Sequence, residues 1–288
     1  MKKRGQISYF LILSISLVIV AGLVLYVKNI GVKKQTVEKS SESEDAGIVK
    51  SYAEACLKNL AEEALFKKVG IQGGYINPNG LLEVDNGKSR FNFESTLYHE
   101  NFVPYYLEKT TINGRMDYYT FVPTLEQIQD KLGNYIAAEF ENCFDIGVFA
   151  DKGIEIITPT KESEIKAAVN ANEEDVSINF RYPLIVKKGS VQTKLDLFLV
   201  TLPIRLKSIH DWASTLVENI KNKQPDEYDT SISCNFDKRG LTNIYLKEIS
   251  NGKIIQFIDF STYNEKYLKS FIFQFAVKDV NVKGNCVG

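Results

Sequence analysis

VSINFRYPLIVKKGSVQTKLDLFLVTLPIRL, residues 176–206, is the stretch on which the fold turns. Apolar and polar residues alternate along 176–186 and again along 193–206, with many β-branched and aromatic side chains in both runs. Between them lie Lys187, Lys188, Gly189 and Ser190, a turn composition. The two runs are read as neighbouring strands, and the same period of two extends upstream through 165–169 towards Ile154. Downstream, Ile209, Trp212, Ala213, Leu216, Val217 and Ile220 recur at three and four, which predicts a helix over 208–222 with Pro225 beyond its end. Residues 244–248 and 254–260, joined across Ser250, Asn251 and Gly252, read as a hairpin, and 271–277 as a closing strand.

Upstream of residue 150 the period is helical. Val49, Tyr52, Ala53, Cys56, Leu57 and Leu60 begin an apolar stripe that continues to Leu65, so 48–69 is an amphipathic helix that Gly70 is placed to stop. Gly73 and Gly74 suit a tight turn into an extended segment. A phosphate cradle would need a strand before those glycines and a helix after them, and the order is reversed. Residues 77–123 are aromatic and punctuated by NPNG, DNGK and INGR, which predicts hairpins. The paired Tyr105, Tyr106 and Tyr118, Tyr119 would put one ring on each face of an extended segment, and are a candidate interaction surface. A second amphipathic helix follows Thr124, where Thr124 and Gln127 have the spacing of a capping box.

Near the N-terminus, residues 7–27 carry no charge, and as a helix they would be about 31 Å long, enough to cross a hydrocarbon core. The run stays apolar to its end and lacks the small-residue cleavage pattern of a secretory signal, so it is read as a retained transmembrane helix in contact with lipid. Three basic residues stand on each side of it, and the charge count alone does not orient the chain. Residues 28–46 are a polar, Ser/Glu-rich tether.

Cys56, Cys143, Cys234 and Cys286 show no zinc-ligand spacing and are even in number, which favours disulfides and an extracytoplasmic domain over buried thiols in a cytosolic one. Four cysteines allow three connectivities. Antiparallel packing of the first two helices would join Cys56 to Cys143 and leave Cys234 for Cys286.

The stretch KRGQISYF ahead of the apolar helix resembles the class III signal peptide of archaeal pilin-like proteins. That resemblance implies cleavage between Gly5 and Gln6, with Gln6 and Ser8 matching the family's Q-x-S pattern. The acidic residue usual two positions beyond that Ser is Phe10 here, which weakens the implication of filament assembly. YAEACL, GIQGGYI, VPYY, PTLEQIQ, YIAAEFENCF and RYPLIV are similar to segments of uncharacterised single-span proteins of small-genome archaea. This implies a topology and carries no activity with it.

The fold class expected is α+β: an N-terminal transmembrane helix, then an extracytoplasmic domain of amphipathic helices on a mostly antiparallel sheet. The expected division is a basic N-terminus (1–6), the span (7–27), the tether (28–46), a helical and aromatic lobe (47–150) and a strand-rich lobe (151–288). A net charge of −1 with interspersed signs excludes the electrostatic footprint of a nucleic-acid binder. No metal or cofactor motif is present, and the two histidines, His99 beside Glu100 and His210 beside Asp211, read as bland polar residues. The expected function is non-catalytic binding of a protein or cell-envelope partner at the membrane. The alternatives are a pilin-like subunit and a surface hydrolase using His210 and Asp211.

Overall fold

The computed structural model describes residues 44–76, 83–85, 90–92, 95–98, 101–159, 164–222, 228–229, 242–280 and 282–283. Residues 1–43, with Gly5, Gln6, Ser8 and the run 7–27, lie outside the described residues, as do His99, Cys234 and Cys286.

Helix α1 (Glu44–Ala64) begins inside the stretch assigned to the tether, because Glu44 and Asp45 favour the positive end of a helix dipole. It passes into one π-helical turn, Leu65–Val69, before Gly70. Short strands β1 (Glu83–Asp85) and β2 (Arg90–Asn92) pair with each other. Then come β3 (Ser95–Tyr98), β4 (Asn101–Ile112), β5 (Arg115–Thr120) and helix α2 (Leu125–Cys143). Both halves of the capping box form: Gln127 N donates to Thr124 Oγ1 and Thr124 N to the Gln127 side chain. A 3-10 turn, Ile146–Lys152, leads to β6 (Glu155–Ile157), β7 (Lys166–Ala171), β8 (Val176–Lys188), β9 (Val191–Leu202) and α3 (Leu206–Asn222). The chain closes with β10 (Tyr228–Asp229), β11 (Thr242–Ile249), β12 (Gly252–Asn264), β13 (Lys269–Lys278) and β14 (Val282–Lys283).

The fold is α+β. Strand β8 is the spine of a four-stranded antiparallel sheet, flanked by β9 on one side and by β7 and β6 on the other. Its register with β9 shifts between Arg181 and Leu184, a bulge that accommodates Pro183, which has no N–H to donate. On β8, Val176, Ile178, Phe180, Tyr182, Leu184 and Val186 all turn to the buried side. Helices α1 and α2 pack on this sheet, α1 along β9 and α2 along β7. A six-stranded sheet runs β11-β12-β13-β4-β3, with β5 on β4. Its pairings are antiparallel except β13 with β4, which is parallel.

One continuous core contains inner-face residues of the four-stranded and six-stranded sheets and the apolar stripes of α1, α2 and α3. Residues 44–288 form one compact unit, and elements from either side of residue 150 share both the core and the six-stranded sheet. A smaller apolar row, Val103, Tyr105, Ile254 and Ala276, lies on the other face of the six-stranded sheet.

The helices α1 and α2 run antiparallel, as three pairs show: Tyr52 meets Phe144, Cys56 is bonded to Cys143, and Lys68 lies over the Tyr135 ring. The Cys56–Cys143 disulfide has a Cα–Cα distance of 5.8 Å, within the range a disulfide spans. The glycine turn after α1 fills a gap between β13 and β4. Gly70 O accepts from Gln274 N at 2.9 Å, and a Cβ on Gly70 would lie 2.2 Å from Ile272 O. Gly73 and Gly74, at φ +53° and +82°, take the left-handed conformation that glycine adopts without strain. Tyr106 on β4 closes the turn by donating its hydroxyl proton to Gly73 O.

Candidate functional site

Pro203 follows the last residue of β9 and cannot continue a ladder, so the chain turns and Arg205 enters the core at the head of α3. The guanidinium side chain is 2% exposed and meets Asp259 of β12, which is fully buried. Nε lies 3.1 Å from Oδ2 and Nη2 lies 2.7 Å from Oδ1, a fork-to-fork pairing. Nη2 also donates to Thr242 Oγ1 on β11 at 2.7 Å, and the Trp212 ring covers the guanidinium at 5.5 Å. A buried charge persists only when paired and hydrogen-bonded in this way.

Asp259 also shapes the strand that follows. Its Oδ1 accepts from Ser261 N at 3.0 Å and from Ser261 Oγ at 2.6 Å, and its carbonyl accepts from Thr262 Oγ1 at 3.1 Å. The β12–β13 register runs to Asp259↔Phe271 and resumes at Tyr263↔Ser270, leaving Phe260, Ser261 and Thr262 in a bulge. Bulges re-aim side chains, and here Ser261 and Thr262, with Tyr263 and Asn264 after them, line a groove of about 210 Å³. The other residues that line it are Lys58 and Glu62 of α1, Phe66 of the π-helical turn, and residues 201–204.

Both Asp259 oxygens are engaged by Arg205, so this carboxylate serves as a counter-ion and is not poised to take a proton from Ser261. Lys58 and Glu62, one turn apart on the α1 wall, stand 4.0 Å from each other and offset each other's charge.

His210 is placed elsewhere. It is buried, and its Nε2 lies 2.7 Å from Pro123 O, which makes Nε2 the protonated donor and ties α3 to the start of α2. It is therefore neither solvated nor capping. Its Nδ1 has no hydrogen-bond partner, and Asp211 Oδ1 is 3.6 Å away. Asp211 itself bonds Lys207 at 3.1 Å, and that contact raises the Lys207 pKa. The nearby hydroxyls are committed to backbone: Ser214 to His210 O and Ser208 to Glu173 O. No nucleophile converges on this histidine among the described residues. His99, the other candidate, lies outside them.

The tyrosine pairs divide differently from the expectation. Tyr105 and Tyr106 do point to opposite faces of β4, but each face is covered, so both rings are buried, one in each apolar cluster. Tyr118 packs against the core, and Tyr119 is the one of the four that is exposed. Burial holds the Tyr106 hydroxyl well above the usual phenol range and raises Tyr75 as well. Among the described residues no group of three or more His, Cys, Asp or Glu is placed to hold a metal.

Sequence reading missed the Arg205, Asp259 and Ser261 constellation. Its one signal was available: Arg205 and Asp259 are the lone charges, of opposite sign, in the mostly apolar runs LPIRL and IIQFIDF. Comparison with protein-family models, with curated proteins and with solved structures finds no match to this chain.

Proposed function

We propose that this chain is a membrane-anchored extracytoplasmic binding protein, held in lipid by residues 7–27 and presenting the groove over the β12 bulge to a cell-envelope partner. The observation that carries the reading is the Cys56–Cys143 disulfide, because such bonds persist in oxidising compartments. Added to it is the charge-free run 7–27, long enough to span. Among the described residues no helix is long and apolar enough to cross a membrane, so anchoring falls to that run. The groove favours binding over chemistry, since the Ser261 and Thr262 hydroxyls at the bulge are held in structural bonds to Asp259.

Fractionation of native cells tests this. The protein stays with membranes after high-salt and alkaline washing, external protease digests residues 44–288 in intact cells, and non-reducing mass spectrometry finds Cys56 joined to Cys143. Release by alkali, or protease protection together with free thiols at both positions, overturns the proposal.

A further inference from the structure

We infer that the groove over the β12 bulge takes a single neutral pyranose ring of a carbohydrate; this rests on the binding role proposed above. The polar atoms at the bulge are acceptors. Ser261 Oγ gives its hydrogen to Asp259 Oδ1 at 2.6 Å, and Thr262 Oγ1 gives its hydrogen to the Asp259 carbonyl at 3.1 Å. What each hydroxyl has left to offer a ligand is lone pairs. Glu62 adds carboxylate oxygens to the lining.

A ligand for this groove must therefore bring donors. A phosphate or carboxylate would meet the lone pairs of Ser261 and Thr262 and the Glu62 carboxylate, with Lys58 and the Asn264 amide in its favour, and Lys58 already stands 4.0 Å from Glu62. Sugar hydroxyls supply the donors without charge. Asn264 complements them, because its Oδ1 already accepts from Lys266 N and Tyr267 N, and its amide nitrogen is what it can offer.

The apolar parts match as well. Tyr263 is 59% exposed at the rim, while Phe66, Leu202 and Ile204 are buried behind it. A pyranose has hydroxyls around its edge and C–H faces above and below, which pack on an aromatic ring and an apolar floor. About 210 Å³ is small for a ligand site and holds one ring rather than a chain of them, so the sugar enters as a terminal or branch residue. The buried Arg205–Asp259 pair fixes the bulge beforehand, which lowers the ordering cost of binding.

The test is saturation-transfer NMR on the full-length protein in lipid nanodiscs with the methyl pyranosides of glucose, galactose, mannose and N-acetylglucosamine, and with spermidine as a cationic probe. At least one pyranoside shows transfer to its ring C–H protons. Tyr263→Ala weakens that sugar by about tenfold or more, whereas Tyr263→Phe keeps the ring and binds as the parent does. Ser261→Ala weakens it too, with melting temperature reported alongside to separate misfolding from lost contact. No transfer from any pyranoside, transfer indifferent to Tyr263→Ala, or binding of spermidine alone overturns the inference. Incorporation into the nanodisc and an intact Cys56–Cys143 bond report on anchoring separately, so the two readings fail independently.

Discussion

Asp259 satisfies a cation inside the core and shapes a loop at the surface with the same carboxylate, which makes it costly to alter. Asp259→Ala leaves Arg205 buried without its counter-ion, and Arg205→Met leaves Asp259 likewise. Each is expected to cost about 3–5 kcal/mol, while the double change Arg205→Met with Asp259→Leu loses less than either single one. Urea denaturation of the three variants checks this. Two glycines make a second contrast. A Cβ on Gly133 would lie 2.4 Å from Ala167 O where α2 rests on β7, so Gly133→Ala costs roughly 1–3 kcal/mol. Gly47 on α1 has nothing within 4 Å, and Gly47→Ala stabilises by up to about 1 kcal/mol through helix propensity. Thermal melts of the pair separate the two signs. At this scale the sequence was informative where one side chain states its own role, as with Thr124 and Gln127 at the cap. It was silent where the role depends on a partner 54 positions away, as with Arg205 and Asp259.

The elements themselves were largely legible, because each carries its period along its own length. The stripe of α1, the stripe of α2 and the alternation of β8 meet the core with the residues that the period picks out, whereas β9 changes face after Leu195, burying Phe198, Val200 and Leu202 and leaving Leu197 and Leu199 exposed. The π-helical turn and the 3-10 turn escaped, since both are settled by what the chain must meet next. The parallel β4–β13 pair escaped as well, being a contact between segments 170 residues apart, as in the Lys278–Glu108 ion pair across it. The Cys56–Cys143 pairing was readable because two helical stripes, once set antiparallel, bring those positions together. Its bridge closes a separation of 87 residues, and Cys56→Ala with Cys143→Ala is expected to lower stability by about 4–5 kcal/mol in the chain-entropy picture. Guanidinium titration of the double variant against the oxidised parent measures it.

For the molecule as a whole, the buried phenols set an alkaline limit. Desolvation raises Tyr75, Tyr106 and Tyr182 in the folded state, with Glu141 adding to the rise at Tyr182. The unfolded chain ionises these groups near the usual value of about 10, so above that pH the unfolded state sheds protons first. Stability from these groups is complete below about pH 10 and declines as pH rises beyond it. Tyrosinate absorbance and circular dichroism recorded together should show these phenols ionising only as the fold opens. The Cys56–Cys143 bond has a mechanical consequence besides its thermodynamic one. Tension applied to the chain ahead of Glu44 enters the fold through α1, whose first turn is held to the β8–β9 hairpin by the Asp45–Lys188 ion pair and to the core by the buried Ala46. Pulled from that end, α1 can unwind residue by residue only as far as Cys56. There the force passes through sulfur into the end of α2 and is shared with the sheet beneath it, and twelve residues of give are followed by a hard stop.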